Sequence, residues 1–198
     1  SRFLRAAGSQ PVRLYVPDRG REGYGPNAPA LLKLQAEGAG LVITVDCGVT
    51  AFAPLQAAKT AGLDVVVVDH HVAEPLLPQA AAIINPNRLD EAPGHGQMAA
   101  IGVAFLLAVA VNRRLRLHGW YADARPEPDL MQWLDLVALG TICDVVPLTG
   151  INRALVAQGL KVLGLRRNLG LRALAEIAGV NERAGAYHCG FLLGPRIN

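Results

Sequence analysis

The sequence predicts an α/β fold, with a parallel, Rossmann-like sheet over residues 1–90 and a mainly helical portion over 91–198. Two observations carry this. The run Val65-Val66-Val67-Val68 is apolar at every position, the pattern of a strand covered on both faces, and it stops abruptly in Asp69-His70-His71. A second run, Leu41-Val42-Ile43-Thr44-Val45, stops in the same way at Asp46-Cys47-Gly48. Strands alternating with helices at this spacing run parallel and are joined by right-handed crossovers. Asp46 and the Asp-His-His group then emerge from neighbouring strands on one edge of the sheet, the edge where open α/β sheets bind ligands.

The elements follow in order. Ser1 to Gly8 reads as the end of an amphipathic helix, and Val12–Val16 as a first strand. Residues 17–26 (PDRGREGYGP) read as a loop, their Gly and Pro content opposing regular structure. Asn27 caps a helix over Ala28–Glu37, which Gly38 and Gly40 end. After the Leu41 strand, Thr50 opens a helix to Ala61, with Gly62 as its stop. The valine strand follows, then a short strand Ala81–Ile84 leading into Asn85-Pro86-Asn87-Arg88 on the same edge. Leu89–Gln97 is a polar break. Beyond it the pattern turns helical: Met98–His118, with Arg113, Arg114 and Arg116 near its C-terminus; a linker, 119–128; then Asp129–Gly140, Asn152–Leu163 and Leu171–Ala178. Residues 191–198 read as an interrupted loop.

Composition narrows the function. The chain has 198 residues, 52% apolar and 5% aromatic, enough for one large domain or two small ones with an aliphatic core. A net charge of +3 permits a phosphate-bearing partner without establishing one. The three cysteines are widely spaced and there is no secretory leader, which points to the reducing cytoplasm. The longest apolar run, from Met98 to Val111, is too short to span a membrane. No G-x-x-x-x-G-K-[ST] loop and no G-x-S-x-G turn occurs, which disfavours an NTPase and a serine hydrolase.

The polar residues at the strand ends point to metal chemistry. Carboxylate with imidazole suits a divalent ion such as Mn²⁺ or Zn²⁺. Either histidine alone is better explained by a turn cap or solvation; the pair, with nearby acids, favours a metal. Asp46, Asp69, His70, His71 and Asp144 make up the candidate set. Asp144 has apolar residues on both sides, which argues for burial, and a buried carboxylate must be paired or metal-bound; capping a turn is the alternative. Two ions roughly 3.5–4 Å apart serve phosphoester hydrolysis, usually sharing one carboxylate, and Asp46 beside the small Gly48 suits that bridge. A zinc–thiolate site at Cys47 and Cys143 is the weaker reading, because their spacing is not that of a zinc motif. Arg19, Arg21 and Tyr24 either contact phosphate or base, or belong to a solvated loop. His95, in a polar break, stays outside the site.

These residues also carry a resemblance. VDCG (45–48), VVDHH (67–71) and GTICDVVPL (140–148) resemble motifs of the DHH phosphoesterase superfamily. YVPDR…EGYG (15–25), IINPN (83–87), AAIGVAF (99–105), LDLVALGTICDVVPL (134–148) and LGPRIN (193–198) are similar to its RecJ-type single-stranded-DNA exonucleases. The resemblance implies a DHH-type catalytic domain in which Asp46, His70 and Asp144 bind Mn²⁺ or Mg²⁺, with Asp46 bridging. It implies that His71 acts at the scissile phosphate or leaving group, that Asp69 orients the neighbouring histidine, and that Arg196 lies near the phosphate. The implied reaction is 5′-to-3′ hydrolysis of single-stranded DNA to mononucleotides in repair and recombination. Implied partners are single-stranded DNA and, beside a parent enzyme, a single-strand-binding protein or helicase. The family's first motif, an Asp-x-Asp-Ala-Asp-Gly loop, and its later DHH-associated and oligonucleotide-binding domains have no counterpart here. The chain therefore reads as part of a larger enzyme, expected to bind metal weakly or not at all and to be inactive alone. Two alternatives remain: a small-molecule phosphatase or pyrophosphatase of the superfamily, and a non-catalytic scaffold binding DNA or protein.

Overall fold

The computed structural model describes residues 1–9, 11–90 and 94–197. The chain divides into two compact units, one of residues 15–104 and the other of 1–14 with 105–198. Residues 91–93 of the polar break and Asn198 of the last motif lie outside the described residues.

The first unit is the α/β portion. Helix α2 (Arg19–Glu22) and helix α3 (Ala28–Ala36) precede strand β1 (Leu41–Val45); helix α4 (Phe52–Thr60) crosses to strand β2 (Asp64–Val68), and strand β3 (Ala82–Ile84) follows. All pair parallel in the order β1-β2-β3, so the valine strand is central. The register sets Val45 beside Val68 and Val68 beside Ile84. The next residues of the three strands, Asp46, Asp69 and Asn85, therefore leave the sheet side by side, as the apolar runs predict. Leu31, Leu55, Ala58, Leu63, Val65 and Val67 form the core under one face. The outer strand is less covered than its sequence suggests: Leu41, Ile43 and Val45 remain 54%, 38% and 49% exposed.

Two local expectations need correction. Val12–Val16 forms no strand; Leu14 and Val16 are 72% and 75% exposed, and without a neighbouring strand the apolar alternation has nothing to pair with. The segment expected to be wholly irregular contains α2. Asp18 caps it, its carboxylate accepting the Gly20 N–H at 3.0 Å, while Glu22 accepts the Asp18 N–H at 2.9 Å and the Tyr15 hydroxyl at 2.5 Å. Asn27 caps α3 as expected, through the Ala30 N–H at 2.8 Å.

The second unit is helical: α1 (Arg2–Ala6), most of α5 (Ala100–Leu117), α6 (Leu134–Cys143), α7 (Gly150–Gly164) and α8 (Leu169–Ile177). Its core gathers Leu139, Leu163, Leu171, Ala175, Val180, Cys189 and Leu193. Helices α6 and α7 approach so closely that a Cβ on Gly159 would lie 2.1 Å from the Leu134 carbonyl oxygen. Residues 130–133 form a 3-10 turn ahead of α6, because Asp129 accepts the Met131 N–H at 2.9 Å, so the helix runs later than predicted. The expected loop at the end is instead a wide helical turn, His188–Leu193, and a 3-10 turn, Gly194–Arg196, where Pro195 needs no N–H partner.

Candidate metal centre

The centre is built where the sheet's hydrogen bonding ends. The Asp46 N–H still donates to the Val68 carbonyl at 2.9 Å, but Asp46 itself turns into the left-handed region at φ 66°. An aspartate tolerates that conformation better than most side chains. The Tyr24 hydroxyl holds the turn by donating to the Asp46 carbonyl at 2.6 Å. Gly48, at φ 116°, is seated against Thr44 and Val67, where a Cβ would meet the Thr44 Oγ1 at 3.0 Å. This close passage delivers the Val49 N–H to Asp69.

Asp69 organises the turn. It is 1% exposed. Its Oδ2 accepts the Val49 N–H at 3.0 Å; its Oδ1 accepts the His70 N–H at 2.8 Å, the His71 N–H at 3.3 Å and the His71 Nδ1 at 2.7 Å. Burial pushes its carboxyl upward, but the hydrogen bonds from Val49, His71 and His70 outweigh it and hold Asp69 below the ordinary carboxylate range. With Nδ1 bound to this carboxylate, the His71 ring presents Nε2 outward, 3.5 Å from the Tyr24 hydroxyl. Burial first, then the charges of Asp46 and Asp69, push the Tyr24 phenol up to about 12, so it stays a donor.

His70 and Asp46 bring two potential ligand atoms face to face. The His70 Nδ1 lies 3.0 Å from the Met98 carbonyl, which can only accept, so that nitrogen carries the proton. Its Nε2 lies 3.2 Å from the Asp46 Oδ1, and a carboxylate is also only an acceptor. The two lone pairs face each other and require a shared proton or metal ion. Neighbouring vertices of an octahedral Mg²⁺ shell are about 3 Å apart, given bonds of about 2.1 Å. The donor set fits. Ligand atoms of Asp46, His70 and His71 all lie within 4.8 Å of one another.

Four predicted residues, Asp46, Asp69, His70 and His71, thus come together in one unit, with Tyr24 against them and the Arg19 guanidinium 5.7 Å from the Tyr24 ring centre. Asp144 and Arg196 belong to the other unit. The expectation that Asp144 is buried is corrected: it is exposed, ending α6 with its N–H on the Gly140 carbonyl at 2.9 Å, and the next residue, Val145, has φ 57°. The buried acid of that segment is Asp135, 4% exposed, with its Oδ1 on the Leu136 N–H at 2.7 Å. Apolar flanks do not reveal which helix face an acid occupies. Arg196 donates to the Leu192 carbonyl at 2.6 Å. The Cys47 thiol is half-buried and is pushed up to about 11 by burial and then by the charges of Asp69 and Asp46. His95 is exposed.

Sequence reasoning missed three supports: Met98, whose carbonyl orients His70, and Asn85 and Asn87, which bond the carbonyls of His71 and His70 at 2.9 and 2.5 Å. The two amides in IINPN were a signal, read only as lying on the ligand edge.

The family described as DHH family, N-terminal domain, matches residues 1–141. The single-stranded-DNA-specific exonuclease RecJ of Dickeya dadantii is 43% identical over 98% of this chain and 34% of its own length. The chain spans about a third of the length of that relative. The crystal structure of an exonuclease RecJ bound to manganese superposes with a TM-score of 0.83 at 36% identity, over 100% of this chain and 47% of that one. The RecJ of Thermus thermophilus in complex with Mg²⁺ matches at a TM-score of 0.51 and 33% identity, over 86% of this chain and 23% of that one.

Proposed function

The chain belongs to the DHH family, and from that premise we propose that it is part of the catalytic core of a RecJ-type exonuclease, a metal-dependent phosphodiesterase that degrades single-stranded DNA from the 5′ end to mononucleotides. The observation that carries this reading is the facing pair of His70 Nε2 and Asp46 Oδ1, 3.2 Å apart at the ends of adjacent parallel strands. Both relatives of known structure named above are bound to manganese or Mg²⁺.

In this reading Asp46 and His70 would hold Mn²⁺ or Mg²⁺, with Asp46 shared between two ions and Asp144 as a further ligand, as the family resemblance implies. When bound, the ions supply water activation and neutralise the charge that develops on the phosphate. His71 is held by Asp69 with Nε2 turned outward, where it moves a proton at the phosphate or the leaving oxygen. Arg19 and Arg196 bind phosphate oxygens. Tyr24, its hydroxyl already engaged, serves the substrate by holding the Asp46 turn and offering its ring beside Arg19. The enzyme works in the cytoplasm, where a single-strand-binding protein or a helicase supplies the strand. No described helix is long and apolar enough to cross a membrane.

The test uses the full-length protein on a 5′-phosphorylated single strand with Mn²⁺. Mononucleotides appear from the 5′ end; His71→Ala slows their release by about 10²–10⁴-fold; pyrophosphate is not cleaved. Cleavage of pyrophosphate without DNA degradation would favour the small-molecule phosphatase, and DNA binding without any hydrolysis would favour the scaffold. The 198-residue chain alone is expected to be inactive.

A further inference from the structure

We propose that Asn85 and Asn87 are positioning residues that hold the two histidines separately, Asn87 setting His70 for metal binding and Asn85 setting His71 for its action at the phosphate. This rests on reading the site as a metal-dependent phosphoesterase centre.

The β2–β3 ladder continues as far as the Asp69 N–H on the Ile84 carbonyl, at 3.0 Å, and stops there. The next two carbonyls, those of His70 and His71, have left the ladder, yet each imidazole must be held to a fraction of an ångström to act. The asparagines continue the ladder with side chains. Asn85, 4% exposed, donates its Nδ2 to the His71 carbonyl at 2.9 Å. Asn87 donates its Nδ2 to the His70 carbonyl at 2.5 Å and to the Gly96 carbonyl at 2.9 Å. The Asn85 Oδ1 accepts the Asn87 N–H at 2.7 Å, and Pro86 between them fixes the backbone.

The residue type matters. A carbonyl needs an N–H donor, which an aspartate lacks, and the Oδ1 of the same amide is used at Asn85 as an acceptor. Gly96 completes the fit: a Cβ there would fall 2.5 Å from the Asn87 Oδ1. The two clamps therefore end on different groups. His70 faces Asp46, and His71 faces Tyr24. Loosening one clamp moves one imidazole.

The experiment measures each lever in the full-length protein. Mn²⁺ affinity is read without DNA by the electron paramagnetic resonance of free Mn²⁺, the His71 ring by its Nε2 nitrogen-15 shift, and kcat and KM on a 5′-phosphorylated oligonucleotide at saturating Mn²⁺. Asn87→Ala weakens Mn²⁺ binding by about 10–100-fold, the usual effect of removing a group that orients a metal ligand, and restores near-normal kcat when Mn²⁺ is saturating. Asn85→Ser, whose hydroxyl still accepts the Asn87 N–H but is too short to reach the His71 carbonyl, leaves Mn²⁺ affinity unchanged, moves the His71 shift and lowers kcat by up to about 10²-fold at constant KM, the effect of a misplaced reacting group. Asn85→Thr, which keeps the same hydroxyl acceptor, gives the same split if the serine variant fails to fold. Both variants altering the same quantity, the effects exchanged, or neither altering anything would overturn the proposal. A wild-type protein that binds Mn²⁺ but leaves DNA intact would sink the exonuclease reading alone, since the Mn²⁺ affinities and the His71 shift still decide the clamps.

Discussion

Asp69 is the residue on which the centre turns, and its environment makes a sharp prediction. It satisfies three backbone N–H groups and one imidazole from a position 1% exposed. Asp69→Ala leaves the buried Val49 N–H without its acceptor and frees His71, so we expect a loss of about 3 kcal/mol in urea unfolding, at the upper end for an orphaned buried donor. Gly48→Ala is expected to lose about 1–2 kcal/mol by the same measurement. Its φ of 116° disfavours any Cβ, and Thr44 and Val67 leave no slack. At this scale the sequence was informative where residue type and position coincide at a strand end, as for Asp46, Asp69, His70 and His71. It was silent on hydrogen bonds made through backbone carbonyls, which carry no residue signature. That is why Met98 went unnoticed.

Between elements, the α6–α7 contact and the turn that covers it set the stability of the helical unit. Gly159→Ala drives a methyl into the Leu134 carbonyl and the Ala138 side chain, and about 2–3 kcal/mol is expected to be lost, read as a lower urea midpoint. Cys189 gives the unit a pH dependence. Burial, then the neighbouring Cys143, pushes its thiol up to about 11, from about 8.5 for a free thiol. Because the folded value is raised, the contribution is full below about pH 8.5 and is lost as pH climbs toward 11. Urea midpoints at pH 7.5 and 10.5 should therefore fall less in Cys189→Ala than in the parent, whatever the variant's own stability; equal falls would exclude the thiol. Caps, glycine stops and apolar runs predicted helices α3 to α5, α7 and α8 to within a few residues at each end. They failed at Val12–Val16, where strand formation depends on a neighbour, and at 130–133, where a local Asp129 cap wins over helix propensity.

For the whole molecule, the sequence conveyed one unit better than the other. Parallel order and converging strand ends follow from two apolar runs, whereas the placement of Asp144 depends on which face of α6 looks inward, and α6 is apolar all round. Asp135, not Asp144, is the acid that α6 buries. The proposed activity rests on the α/β unit's acid–imidazole pair, and the most direct test is its affinity for metal. Titration of the full-length protein with Mn²⁺ by electron paramagnetic resonance, in the absence of DNA, should show that His70→Ala and Asp46→Ala each abolish tight binding, while His71→Ala retains it. Undiminished Mn²⁺ binding in His70→Ala and Asp46→Ala would contradict the account.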